Sequence, residues 1–291
     1  MPFLILLAGG AVLGFVGIFV RLAAAAGVGP FAAAFWRMAL ATPLLVAWAW
    51  SARRAGATTP PSGGSGVLLP GWSTPALIVL AAGAFAGDLI LYHLGLHWST
   101  VANATLESNM APVVVVLALW ALTGLAPRPL FVVALLAALA GALLVIGVHW
   151  GEHRVLLGDL CGSVSALFYA AYQIGVQQAR QRLGTLTLMA WVSAGATLAL
   201  LPFAWFEGDF WPHALRAWLW LGGLALLVQI GGQVVIAHAV KHLHPARASI
   251  GLLVQPATSA VYAWALLGER LGAMQLAGGA LLLGGIYLAR R

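Results

Sequence analysis

The stretch Ala111-Pro112-Val113-Val114-Val115-Val116-Leu117-Ala118-Leu119-Trp120-Ala121-Leu122-Thr123-Gly124 has a counterpart 144 residues further on, Gln255-Pro256-Ala257-Thr258-Ser259-Ala260-Val261-Tyr262-Ala263-Trp264-Ala265-Leu266-Leu267-Gly268. Pro112 meets Pro256, Trp120-Ala121-Leu122 meets Trp264-Ala265-Leu266 and Gly124 meets Gly268, with no gap. The match runs back through Ala104 and Ala248, Ala102 and Ala246, and Gly87 and Gly231, to Phe85 opposite Gln229. A shift of 155 pairs Gly29 with Gly184, Trp36 with Trp191 and Trp50 with Trp205. The chain therefore reads as two copies of one unit, 1–149 and 150–291, each with five apolar spans. Five is odd, so the second copy runs through its surroundings upside down relative to the first.

Composition says what those surroundings are. Of 291 residues, 62% are hydrophobic and 7% charged, whereas a soluble domain carries roughly 25% charged residues. Too little polar surface remains to cover the chain in water. That excludes a soluble enzyme, a DNA-binding protein and a disordered tail. Breaking the apolar runs at charges, Pro and Gly predicts helices at 2–25, 31–51, 74–96, 101–123, 130–149, 157–179, 186–205, 214–240, 248–267 and 273–289. Each is near the ~20 residues that cross a bilayer. The first span has no basic residue before its apolar run, so it reads as a helix rather than a signal peptide. Residues 51–73, rich in Pro, Gly and Ser, are expected to form a flexible cytoplasmic loop. The single cysteine, Cys161, excludes an internal disulfide. The predicted fold is an all-α integral membrane protein of ten transmembrane helices, arranged as two inverted five-helix repeats around a central cavity.

Charge then sets the orientation. With the N-terminus inside, nine basic residues fall on inner loops and the tail: Arg53, Arg54, Arg128, Arg180, Arg182, Lys241, Arg247, Arg290 and Arg291. Three fall outside: Arg154, Arg216 and Arg270. The net charge of +7 is thus a topology signal with both termini cytoplasmic, not a nucleic-acid footprint. Inverted repeats of this kind mark secondary transporters, with the substrate held near the midplane between the halves.

The duplicated pattern Ala104…Pro112…Gly124 and Ala248…Pro256…Gly268-Glu269, with Arg37 in the second span, resembles the drug/metabolite transporter superfamily in its EamA-type branch. The family's Gly-Glu after the fourth helix of a repeat survives only in the second half, since the first reads Thr123-Gly124-Leu125. Within the family the chain is most similar to the amino-acid exporters, including the aromatic-amino-acid group. The resemblance implies a ten-helix basket in a bacterial inner membrane, whose central cavity opens alternately to each side. It implies export of amino acids or related small metabolites, no enzymatic activity and no cofactor. A multidrug or other-metabolite exporter of the same fold is the alternative. Proton coupling and the choice between monomer and homodimer stay open.

Polar residues inside the spans need partners, because an ionised group at the centre of a membrane helix costs roughly 2.5–3.5 kcal/mol. Arg37, Asp88 and Glu107 lie at similar predicted depths, about 9 to 12 Å below the outer ends of their helices at ~1.5 Å per residue. One reading is a fixed ion pair between Arg37 and one acid. The other gives Glu107 or Asp88 a substrate ammonium or a coupling proton, with Glu107 favoured because Asn103 shares its stripe. Helical spacing also groups Asp88 with Tyr92, Ser165 with Tyr169, Tyr172 and Gln173, and Gln229 with Gln233. Gln255, Thr258, Ser259 and Tyr262 share the ninth span. Together these faces describe a wet, aromatic-lined cavity for a small zwitterion. Pro112 and Pro256 each remove a helix hydrogen bond and are candidate hinges at matching places.

Two rivals are weaker. The sole lysine, Lys241, follows Val240, so no nucleotide-binding loop is present and a primary pump is excluded. His93 and His97, four apart, with Glu107 make a candidate metal triad, yet there is no HExxH.

Overall fold

The computed structural model describes residues 1–56, 71–98, 110–146, 153–267 and 272–289. Its helices are α1 (Pro2–Leu13, then Val16–Ala25), α2 (Pro30–Arg54), α3 (Thr74–Trp98), α4 (Ala111–Thr123) and α5 (Pro129–Ile146). The second half supplies α6 (His153–Arg180), α7 (Thr185–Phe206), α8, α9 (Pro245–Leu252, then Val254–Leu267) and α10 (Ala273–Ala289). α8 is continuous from Leu215 to Val240, but its middle, Leu224–Gln233, is π-helical. The protein is an all-α membrane protein of ten helices in two inverted repeats.

Side-chain placement suits lipid. Val79, Leu136, Leu198 and Leu226 point outward, more than half exposed, on faces that water would not tolerate. The interior is instead built from small residues such as Ala32, Ala34, Ala41, Ala81 and Ala84, with buried amides and hydroxyls among them. Small residues let backbones approach and polar groups join helices where no hydrophobic drive exists between them. Helices keep main-chain bonds within the segment, as a bilayer requires, with interior Pro43 in α2 and Pro202 in α7 each lacking an N–H to donate. Proline opens α1, α2 and the first segment of α9, where its missing N–H costs nothing.

The packing pattern carries the symmetry. α2 lies on α7 and α5 on α10; α3 lies on α6 as α8 lies on α1; α4 lies on α6 as α9 lies on α1. Each contact maps to itself or to another of the set when helix numbers advance by five. At one face the Glu207 carboxylate after α7 accepts from the first amides of α2, Phe31 N at 3.1 Å and Ala32 N at 2.7 Å. At the other face Arg53 at the end of α2 donates to Thr187 in the first turn of α7, at 3.2 Å. A side chain on Gly29 would strike the Glu207 carboxylate, with a Cβ only 2.4 Å from its Cδ. α1 and α9 run parallel, since Phe3 and Leu6 meet Gly251 while Gly14 meets Thr258.

Several expected boundaries shift. The first span breaks at Gly14–Phe15, and the ninth breaks at Leu253, the turn before Pro256. Arg53 and Arg54 belong to the last turn of α2, not to a loop, with the Arg54 guanidinium 3.6 Å above the Trp50 ring. Arg180, expected on a loop, is fully buried at the end of α6 and donates to the carbonyls of Ala237 and Leu183. A cation there meets the unpaired carbonyls of helix C-termini.

Candidate functional site

Between the two halves lies a cavity walled by Arg37, Phe85, Asp88, Leu89, Tyr92, Tyr169, Gln233 and Gln255, with Leu13 and Val16. The four α3 residues are spaced i, i+3, i+4 and i+7, one face of a helix. Leu13 and Val16 flank the break in α1, and Gln255 opens the segment of α9 beyond its own break. The space between atoms is about 420 Å³, of which about 50 Å³ is free to the centre of a water-sized sphere. A water needs roughly 10–15 Å³ on that measure, so this conformation holds only a few.

Arg37 is the only cation on the wall among the described residues, and it is 3% exposed. Its Nε donates to Gln229 Oε1 at 3.2 Å, and its guanidinium carbon lies 5.6 Å from the centre of the Phe85 ring. Gln229 in turn donates to Ser193 Oγ at 3.4 Å. Opposite Arg37, Asp88 accepts from Ser165 Oγ at 2.6 Å. Phe85 stacks on Tyr172 at 4.4 Å between centres, and Tyr172 stacks on Tyr169 at 5.7 Å. The Tyr172 hydroxyl donates to Gln233 Oε1 at 3.3 Å. A guanidinium, a carboxylate and an aromatic shelf thus converge between the repeats.

The expected residues sort accordingly. Arg37, Asp88, Tyr92, Tyr169, Gln233 and Gln255 share the cavity. Tyr172 and Gln229 stand directly behind the wall and hold it. Gln173 and Pro112 line a smaller space next door, again with Tyr169 and Gln255. Tyr262 turns away, stacking on Phe15 at 3.9 Å. Pro256 is buried two residues past the start of its helical segment. Glu107, Asn103 and the His97 side chain lie outside the described residues. His93 Nδ1 is engaged with the Pro30 carbonyl oxygen at 2.7 Å, and no cluster of three metal-ligating residues occurs among the described residues. For Arg37 and Asp88, both described, the bonds found are those to Gln229 and Ser165 rather than to each other. Phe85 was missed, although its place opposite Gln229 in the repeat marked it.

The EamA-like transporter family matches residues 1–147 and again 156–291. The chain belongs to that family. An uncharacterized transporter of Archaeoglobus fulgidus is 27% identical over 270 residues, covering 89% of this chain and 87% of its own. A pseudopaline exporter, CntI, of Pseudomonas aeruginosa is 27% identical over 224 residues, 75% of each chain. A protein of known crystal structure superposes with a TM-score of 0.79 over 100% of this chain and 99% of its own, at 20% identity, a likeness of fold. The EamA-like protein is therefore a multi-pass membrane transporter for a small molecule, not an enzyme.

Proposed function

We propose that this EamA-like protein exports amino acids or closely related small zwitterions across a bacterial inner membrane by alternating access, with both termini cytoplasmic. The observation that carries the reading is the meeting of Arg37 and Asp88 in one cavity beside the Phe85–Tyr172–Tyr169 shelf. A guanidinium suits a carboxylate, a carboxylate suits an ammonium, and tyrosine faces suit an apolar or aromatic side chain. A zwitterion offers a carboxylate to Arg37 and an ammonium to Asp88, so it satisfies both at once. Glu107, outside the described residues, remains a second candidate for the ammonium or for a coupling proton. The break at Leu253 ahead of Pro256, with Pro112 at the matching place in the first half, supplies a hinge for exchange of access.

Counterflow into proteoliposomes tests the reading. Labelled aromatic amino acids should accumulate against preloaded unlabelled ones, with saturation. Accumulation of another metabolite class and of no amino acid would refute the substrate assignment while keeping the carrier. The pseudopaline exporter among the relatives favours that second outcome, export of another metabolite class, as the alternative reading.

A further inference from the structure

Beside the central cavity lies a second space of about 260 Å³, lined by Ala111, Pro112, Tyr169, Gln173, Ser249, Leu252, Leu253 and Gln255. Tyr169 and Gln255 line both spaces, and no other described residue does. The two spaces differ in chemistry. The central one carries Arg37 and Asp88, while the second presents an amide and a hydroxyl, Gln173 and Ser249, and no charge among the described residues that line it.

They also differ in level. Leu13 and Val16 border the central space. The second space touches the first turns of α9, whose Gly251 packs against Phe3 and Leu6. It therefore lies nearer the face at which α1 begins. Its wall reaches the start of the described part of α4 and the break in α9. Ala111 and Pro112 open the described part of α4, and Leu253 is the break in α9. Gln255 sits just past that break, so a swing of the Val254–Leu267 segment about Leu253 shifts its side chain relative to Tyr169.

We infer that Tyr169 and Gln255 form the partition between two successive chambers of the path, and that the second chamber is a transit subsite. It receives the uncharged polar or apolar end of a solute whose charged end is still held at Arg37 and Asp88. Tyr169 then limits the width of what passes, and the Leu253 break moves Gln255 to open the way. This rests on the transporter reading, and it adds a site and two specificity-determining residues to it.

Thiol labelling tests the partition without any substrate. Cys161→Ser removes the only native thiol, and single cysteines are placed at Val16 for the central chamber and Ser249 for the second. A small membrane-impermeant thiosulfonate is applied to vesicles of each orientation. From the face where α1 begins, Ser249→Cys should react faster than Val16→Cys. Adding Tyr169→Ala should speed the Val16→Cys reaction about tenfold, since labelling reports the fraction of open states, while Tyr169→Phe keeps the ring and the slow rate. Gln255→Ala, a smaller change, should accelerate it less. Unchanged Val16→Cys rates in both Tyr169→Ala and Gln255→Ala, in protein that elutes as a single folded species, would overturn the partition. The labelling pattern can hold while amino-acid counterflow fails, so the two readings fall separately.

Discussion

α3 and α8 descend from the same sequence unit, and they do different things at the same place. The repeat sets Phe85 opposite Gln229, Asp88 opposite Gly232 and Leu89 opposite Gln233. In α3 the helix is regular and brings a carboxylate to the cavity. In α8 the matching turn is π-helical over Leu224–Gln233, and the position of Asp88 is held by a glycine pressed on α1, where a Cβ would lie 2.9 Å from Leu13 Cδ2. Arg37 sits between the two, against Phe85 on one side and Gln229 on the other. The duplication thus supplies the scaffold twice, while the charge appears once and the widened helix appears opposite it. π-helical turns are rare and concentrate at functional sites, which fits a segment that carries Gln233 on the cavity wall and Gln229 behind it.

The sharpest way to break this comparison is at its centre. Arg37→Gln leaves Asp88 without a facing cation and Gln229 without its donor, and transport should fall about 100-fold, the range for truncating one member of a buried charged set. Counterflow at matched protein density measures it. Asp88→Asn should lower transport about tenfold, because Ser165 keeps a hydrogen-bond acceptor while the charge is lost. Expression should be little changed, which separates a site role from a packing role.

Exchanging the related pair, Phe85→Gln with Gln229→Phe, asks whether Arg37 reads the two sides as equivalent. The stack of Phe85 on Tyr172 is lost on one side and the bond to Ser193 on the other. Half-saturation should shift severalfold, with a smaller fall in maximal rate. If the exchange is silent, the asymmetry between α3 and α8 is decorative.

Stability gives a milder contrast. Gly232→Ala forces a methyl onto Leu13 and should cost about 1–3 kcal/mol as an overpacked contact. Gly83→Ala on α3 meets nothing within 4 Å and should be neutral or slightly stabilising, through helix propensity. Thermal melting in detergent compares the two. Smallest of all is Tyr262→Phe, whose ring stacks on Phe15 outside the cavity, and transport should not change measurably.

Much of this was legible before any coordinates. Apolar runs placed most helix ends within a few residues, as in 186–205 against Thr185–Phe206, because lipid demands length and helix alike. The 3.6-residue period put Asp88 with Tyr92 and Tyr169 with Tyr172 and Gln173 on shared faces. What period and hydropathy do not carry is register between the halves. Glu207 reaches α2 across 175 residues of chain, and Arg37 meets Gln229 across 192. The break at Gly14–Phe15 lies where α9 packs closely on Gly14, and Phe15 stacks there on Tyr262, so a tyrosine expected in the cavity faces elsewhere. Arg180 was counted with the loop charges because a helix end and a loop look alike in charge counts, yet its guanidinium is buried on carbonyls.

As proposed, Arg37 and Asp88 together form the binding site of a carrier for small zwitterions. Counterflow of labelled aromatic amino acid into proteoliposomes, run side by side for the parent protein and Arg37→Gln, tests it most directly. Saturable counterflow is expected in the parent, with its near-complete loss in Arg37→Gln while the protein still folds. Undiminished counterflow in Arg37→Gln would contradict it.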